Sequence, residues 1–258
     1  MKFDDLDVQM RVYETADDYC VLPGIYIAAR IDGRNFTRLT KETGKFEVPF
    51  DIKFRDLMVE TTRHLMNCGF KVIYGYTQSD EISLLFDLDI DLFGRKTRKY
   101  NSILAGEASA KFSLLFNEIS NSACGVFDCR VCQLPNKKTV TDYFRWRSED
   151  AHRNALNAHC YWMLRKNEMD KKEASKFIEN KSIAEKNELL FSYGINFNDI
   201  PNWQKRGTGL YWVKEERTGF NPKDNAEVKA ERKALKTDYD LPMRDEYSDF
   251  IDKLLEGN

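Results

Sequence analysis

KVIYGYTQSDEISLLF, residues 71–86, sets two apolar runs around a polar centre. Val72, Ile73, Tyr74, Gly75 and Tyr76 form the first run, and Ile82, Ser83, Leu84, Leu85 and Phe86 the second. Thr77, Gln78, Ser79 and Asp80 separate them, so the stretch predicts a β-hairpin. Upstream, residues 51–68 place Phe54, Leu57, Met58, Thr61, Leu65 and Cys68 at three- and four-residue steps, one stripe of a helix that Gly69 ends. Before that helix, residues 24–29 are short, apolar and β-prone, the pattern of a buried strand. Downstream, residues 98–119 put Tyr100, Leu104, Ala108, Phe112 and Phe116 on one helical face, and residues 126–132 read as another strand. The order is β-α-β-β-α-β, an α+β ferredoxin-like core in which two helices cover one face of a four-stranded antiparallel sheet. That scaffold hosts many functions and names none.

At 258 residues the chain fits one large domain. Residues 1–136 form its catalytic core, and 137–258 a helical C-terminal extension packed on that core. Within the extension, 139–193 has a helical pattern, 210–213 a short strand, 223–240 a charged and partly mobile stretch, and 244–256 a last amphipathic helix. Hydrophobic residues make up 42% and charged residues 32%, which places the chain among soluble globular proteins. No run approaches the roughly 18 apolar residues of a membrane span, and MKFDDLDVQM is too acidic for a signal peptide, so a cytoplasmic protein without membrane contact is expected. A net charge of −2 means that any nucleic-acid partner is held by a local patch. Residues 94–99 (GRKTRK) and the Lys205-Arg206 pair are candidates, with a solvated helix end as the alternative. Cys129 and Cys132 fall three apart in a strand, so their sulfurs diverge and a shared metal or redox role is disfavoured. Residues 87–91 have the acidic spacing of a calcium loop, but Leu92 stands where the tight turn requires glycine.

The first strand runs into Asp32-Gly33, with arginines at 30, 34 and 38. In a β-α-β-β-α-β sheet that strand neighbours the hairpin, which brings Asp32 beside Asp80. Two carboxylates and the Gly33 backbone carbonyl make an oxygen-only site, suited to Mg²⁺ shared with substrate phosphates. Two such ions, ~4 Å apart, can activate an attacking hydroxyl and stabilise a leaving pyrophosphate. Asp-Gly and Ser-Asp pairs are also ordinary turn formers; their placement at adjacent strand ends among basic residues favours the functional reading.

The segments 30–36 (RIDGRNF) and 78–81 (QSDE) resemble the signature motifs of the tRNA-His guanylyltransferase family, whose members add nucleotides to tRNA 5′ ends in the 3′-to-5′ direction. The resemblance continues through 95–100 (RKTRKY), 127–131 (FDCRV), 142–147 (DYFRWR), 186–192 (KNELLFS) and 205–208 (KRGT), and spans about residues 8 to 214. It implies a polymerase-palm domain in which Asp32, the Gly33 carbonyl and Asp80 hold two Mg²⁺ ions, with Glu81 as a further carboxylate of the catalytic set. It also implies that Asp32, Gly33, Arg34, Asn35, Phe36 and Thr37, together with Ser79 and Asp80, contact a nucleoside triphosphate, with GTP and ATP as substrates. Arg95 and Lys99, expected at the start of the second helix, are candidates for triphosphate or tRNA 5′-phosphate contacts. Arg30, Lys96, Arg98 and Arg130 join them as phosphate or tRNA contacts, and so do His152, Asn154, Lys186, Asn187 and Arg206. Members of the family typically assemble as homotetramers.

Where the eukaryotic members carry His-Ile-Asn-Asn-Leu-Tyr-Asn, residues 152–158 read HRNALNA; His152, Asn154 and Leu156 match and the other positions depart. This resembles the bacterial and archaeal guanylyltransferase-like branch, which repairs truncated tRNA 5′ ends by template-dependent 3′-to-5′ addition. The other readings are addition of a −1 G to tRNA-His, a nucleotide cyclase on the same palm topology, and a non-catalytic tRNA-binding module.

Overall fold

The structure, a computed structural model, describes all residues except 121–122, 221–226 and 258. The chain opens with helix α1 (Phe3–Thr15), followed by strand β1 (Tyr26–Arg34), a short turn of helix α2 (Phe36–Arg38), and helix α3 (Ile52–Leu65). Strands β2 (Val72–Gln78) and β3 (Glu81–Phe86), helix α4 (Thr97–Asn117) and strand β4 (Val126–Leu134) complete the expected β-α-β-β-α-β order. Helices α5 (Lys137–Lys166), α6 (Lys171–Glu179), α7 (Ile183–Ser192) and α8 (Asn202–Arg206) follow, then strands β5 (Thr208–Phe220) and β6 (Glu227–Asp238) and helix α9 (Arg244–Glu256).

All pairings are antiparallel, and the sheet order is β4-β1-β3-β2-β5-β6. The first four positions are the expected palm sheet. The extension is not purely helical, however. β5 bonds to β2 and β6 to β5, so the segment expected to be a short strand and a partly mobile stretch widens the sheet instead. Of that stretch, residues 223–226 lie outside the described residues.

Alternation along the strands divides the core in two. Ile27, Ala29 and Ile31 of β1 and Ile82 and Leu84 of β3 pack with α3 and α4, as expected. Tyr26 and Ala28 of β1, Tyr74 and Tyr76 of β2 and Leu85 of β3 face the other way, against Val140 and Phe144 of α5 and Tyr247 and Ile251 of α9. The sheet is therefore covered on both faces, and the second face is closed by residues from both the core and the extension. A third cluster, with Leu156, Cys160, Met163 and Leu190, joins the far half of α5 to α6 and α7.

Local chemistry sets the helix starts. The Asp51 carboxylate accepts from the backbone N–H groups of Lys53 (2.6 Å) and Phe54 (3.3 Å) at the head of α3, and Asn136 accepts from the Thr139 N–H (2.9 Å) at the head of α5. Ser182 and Glu185 form a reciprocal capping box on α7. Cys129 packs against the α3/α4 side and Cys132 against the α5 side, so the two sulfurs diverge as the strand reading required. Helix α1 has no buried residue; Phe3, Val8 and Tyr13 are among its exposed side chains. Among the described residues no helix is long and apolar enough to cross a membrane.

Candidate active site

β1 extends to Arg34, so Asp32 lies inside the strand rather than beyond its end, and the hairpin turn shrinks to Ser79 and Asp80. Ser79 takes a left-handed conformation, φ +53°. The turn is tied to β1 by a hydrogen bond from the Gly33 N–H to the Asp80 carbonyl (3.0 Å). Gly33 also permits a close approach, since a Cβ there would stand 2.5 Å from the Phe36 ring.

Cross-strand register arranges the α5-facing side chains in two rows. Arg130, Arg30, Ser83 and Tyr76 are successive partners across β4, β1, β3 and β2 in one row. Asp128, Asp32, Glu81 and Gln78 are successive partners in the next. Directly opposed residues share a face, so a basic and polar row lies beside an acidic one, with Asp80 at the acidic row's end in the turn.

The carboxylates differ in their partners. Glu81 is gripped from both sides, by Arg147 Nε and Nη2 (2.7 and 2.9 Å) and by Arg30 Nη2 (2.6 Å). Arg147 also reaches Asp150 (3.1 Å), which in turn holds Arg153 and Asn154. Burial pushes the Glu81 carboxyl up against the pull of both guanidiniums; at Arg147 burial is the largest single effect and acts downward, but the charge and hydrogen bonds of Glu81 together with the Asp150 charge outweigh it and raise the guanidinium. Expected in the catalytic set, Glu81 has both oxygens committed to this clasp. Asp80 has no ion-pair partner among the described residues; its one side-chain bond is from the Ser79 hydroxyl (3.1 Å). Burial raises its carboxyl above the ordinary value, and the charges of Asp32 and Glu81 add to the rise.

Two clefts meet at this turn, sharing Gln78, Ser79 and Asp80. The first, of about 200 Å³, is walled by Phe46, Phe50, Phe54, Trp162 and Trp203, with Thr37, Lys41 and Arg55 at polar positions. The Arg55 guanidinium lies 4.8 Å from the Trp203 ring centre and 4.5 Å from that of Tyr239. The second cleft, of about 340 Å³, runs between the sheet and α5 and is bordered by Arg30, Asp32, Tyr76, Arg147 and Asn154.

Several expected site residues lie elsewhere or are otherwise engaged. Arg34 and Asn35 end β1 in exposed positions, with Asn35 left-handed at φ +60°. Phe36 borders the first cleft, but its ring is buried against Phe127 and Phe112, with ring centres 4.8 and 5.0 Å away. Arg95 does not sit on a helix start facing solvent. It precedes α4, is buried, and spends its guanidinium on the carbonyls of Val21, Ile25, Leu88 and Ile90, pinning the approach to β1 to the loop after β3. Lys96 and Arg98 both bind Asp18, whose carboxyl these two bonds hold well below its usual range. Lys99 lies beside the Phe93 ring. The Lys205-Arg206 pair is internal rather than a surface patch: Lys205 donates to the Asn198 carbonyl (2.7 Å) and Arg206 to that of Leu241 (2.8 Å). His152 packs edge-on to Phe197 (5.4 Å), and burial and the charges of Arg206, Lys205 and Arg244 hold it below its usual value, neutral at pH 7. Lys186 and Asn187 sit on α7 and line neither cleft. Arg130 is exposed beside Asp128 (3.6 Å).

Arg147, Asp128, Tyr76 and the aromatic wall of the first cleft carry no expected role from sequence. Arg147 and Asp128 do lie within quoted motifs, and the inward phase of their strand or helix was the signal available.

A carboxylate on an interior strand and another in the adjoining hairpin turn of an antiparallel β-α-β-β-α-β sheet, between an aromatic cleft and a charged one, are the arrangement of a palm-type nucleotidyl-transfer fold. Comparison with known proteins narrows the class. The family profile described as tRNAHis guanylyltransferase matches residues 7–135, and that described as Thg1 C terminal domain matches residues 138–252. The tRNA(His) guanylyltransferase of Schizosaccharomyces pombe is 33% identical over 80% of this chain and 79% of its own length. The probable tRNA(His) guanylyltransferase of Bos taurus is 31% identical over 85% of this chain and 76% of its own. A bacterial tRNA(His) guanylyltransferase (Thg1)-like protein in complex with ATP superposes with a TM-score of 0.75 at 25% identity, covering 97% of this chain and 99% of that one. The Saccharomyces cerevisiae enzyme gives a TM-score of 0.71 at 26% identity over 85% of this chain and 94% of that one. The chain belongs to the tRNA-His guanylyltransferase family.

Proposed function

We propose that this protein is a nucleotidyltransferase that activates and extends tRNA 5′ ends in the 3′-to-5′ direction, taking its instructions from the opposing strand of the acceptor stem. The observation that carries the repair reading is the wall of the second cleft. Asn154, Ala155 and Ala158 line it, and Ala155 and Ala158 are two positions at which the segment departs from the asparagines of the eukaryotic motif it resembles. At these two positions methyl groups replace amides that could bond directionally to one particular RNA end, so this reading leaves pairing with the opposing strand to choose the nucleotide.

The residues present fit Mg²⁺. Asp32, Asp80 and the Gly33 carbonyl are hard oxygen donors, and Asp80 is a buried carboxylate beside like charges with no cationic side chain bound to it. Mg²⁺ takes one or two carboxylates and completes its shell with water and substrate phosphates, which matches a donor set of two carboxylates and a carbonyl. Two ions held there would supply charge neutralisation and activate an attacking hydroxyl. The chain's own residues do the rest. In this reading the aromatic cleft takes the base of ATP or GTP, because its Phe and Trp rings offer faces for stacking, and Ser79 orients the Asp80 carboxylate; bacterial relatives are solved in complex with ATP and with GTP.

A 5′-monophosphate has no good leaving group. In this reading it first attacks the α-phosphate of a triphosphate, forming a 5′-5′ linkage and releasing pyrophosphate. The 3′-hydroxyl of an incoming triphosphate then attacks the activated 5′-phosphate and releases the nucleoside monophosphate. Homotetramer assembly is part of the proposal, supported by a 13-residue α1 with no buried side chain, as is a cytoplasmic location.

The deciding test supplies several tRNA species lacking the first 5′ nucleotide, with each of the four bases opposite the gap. The complementary nucleotide is expected in every case, with little extension past a completed stem. Addition of G alone, only to tRNA-His and whatever the opposing base, returns the protein to identity marking.

The basic tract gives a second expectation. Removing one cation that touches an RNA phosphate should flatten the salt dependence of tRNA binding by a slope of roughly 0.7 to 0.9. Lys99→Ala should show that full change, whereas Lys96→Ala and Arg98→Ala should show less, because Asp18 already neutralises part of their charge. Titrations of tRNA at several salt concentrations read the slope; an unchanged value for Lys99→Ala makes the tract ordinary solvated surface.

A further inference from the structure

Among the described residues, two donors of the second cleft have nothing to donate to. Tyr76 is 1% exposed and its hydroxyl has no partner. Arg30 uses its terminal nitrogen on Glu81 and Asp32, yet its buried Nε–H is also unpartnered. Three other tyrosines on the same face are satisfied: Tyr74 and Tyr247 bond each other (2.9 Å), and Tyr211 donates to Asp238 (2.9 Å). Other buried hydroxyls without partners, those of Tyr100, Tyr143 and Ser83, border neither cleft. Gly207 makes room for the Tyr76 hydroxyl: it sits at φ +79°, and a Cβ there would stand 2.7 Å from the phenolic oxygen. A buried hydroxyl left unpaired is costly to the fold, so its presence at a cleft wall points to a ligand that completes it.

The cleft's charge selects the ligand's chemistry. Four carboxylates, those of Asp32, Asp80, Glu81 and Asp150, border it against two guanidiniums, those of Arg30 and Arg147. Both guanidiniums are already paired with carboxylates. In this reading the phosphates are drawn to the ions at Asp32 and Asp80, and beside Tyr76 they find no cation that is not already committed to a carboxylate. A ribose hydroxyl meets a match, because its oxygen accepts from Tyr76 and Arg30 while its proton is donated to a carboxylate.

We infer that the Tyr76 hydroxyl and the Arg30 Nε–H form a subsite for a ribose hydroxyl of the bound nucleotide, holding the sugar against the acidic row that carries Asp32. The inference rests on the nucleotidyltransferase reading and adds to it the group that recognises the sugar. The acceptor is the 2′- or the 3′-hydroxyl, which share this chemistry and which the experiment separates.

Nucleotide binding is measured by calorimetry, without tRNA, for the wild type and Tyr76→Phe against GTP, 2′-deoxy-GTP and 3′-deoxy-GTP. Tyr76→Phe is expected to weaken GTP binding about threefold to tenfold. It should leave unchanged the affinity for whichever analogue lacks the hydroxyl that Tyr76 holds. The wild type should itself bind that analogue more weakly than GTP by a similar factor, a comparison that stands even if the variant folds poorly. Thermal stability of the unliganded variant should hold or rise, since an unpartnered polar group has been removed. Equal losses for all three nucleotides, or no loss for any, overturn the subsite. Failure of the wild type to bind any of the three overturns the nucleotidyltransferase reading itself.

Discussion

Asp80→Asn is expected to lower nucleotide incorporation on the order of a thousandfold or more while the fold persists, because the substitution keeps the side chain's shape and removes the charge on which a divalent ion depends. Its stability signature is equally specific. The folded protein raises the Asp80 carboxyl above its ordinary value, chiefly by burial. Such a group stabilises the fold below its unfolded value of roughly 3.9 and loses that contribution as pH rises through the folded value. In chelator-treated protein, Asp80→Asn should therefore melt at or above the wild-type temperature at pH 7, with the gain fading toward pH 4. Single-turnover incorporation and a pH series of melting curves check both halves. Near-normal incorporation overturns the metal assignment, and a lower melting temperature at pH 7 overturns the account of Asp80 as a charge strained by its surroundings.

Arg147→Met should be the most damaging single change to stability among the site residues. It strips Glu81 of two bonds and Asp150 of one, in a place where Arg147 itself is 7% exposed and Glu81 13%. Removing one partner of a buried ion pair costs about 3–5 kcal/mol when the other charge is left alone; Arg30 stays 2.6 Å from Glu81, so the loss falls toward the lower figure. For a chain of this size that lowers the melting temperature by about 10 °C. The added change Glu81→Gln should recover much of the loss, since it removes the stranded charge. If the double variant is as unstable as the sum of the single ones, the pair is not coupled and the clasp does not organise the site.

The elements that were legible in the sequence are those with one side in the core and the other in water. The 51–68 stripe and the apolar runs of 71–86 print their periods directly, and they place Asp32 and Asp80 together by topology alone. β6 printed nothing of the kind. It is an edge strand, and of its described side chains Glu231, Arg232, Lys233 and Lys236 are exposed while Leu235 packs on the core; one apolar anchor among charges prints no alternation, and the charge density reads as a mobile stretch. Arg95 misled for the opposite reason. Within GRKTRK it looks like its neighbours, and only the carbonyls of Val21, Ile25, Leu88 and Ile90, brought together by folding, distinguish a buried pin from a surface cation. The Glu81–Arg147 clasp joins residues 66 apart, beyond the reach of any local pattern. The Lys205-Arg206 pair misled in the same way as Arg95.

The outward edge of β2 is sealed only by β5, and the indole N–H of Trp212 closes the seam on the Val72 carbonyl, 140 residues earlier in the chain. During synthesis at about 5–20 residues per second, β2 therefore waits roughly 7 to 28 seconds with a bare edge before its neighbour leaves the ribosome. An unpaired apolar strand in that interval is a template for pairing with another nascent chain. The yield of the protein in a cell should thus depend on translation speed and on chaperones that shield strand edges, even though the finished sheet leaves no trace of that exposure.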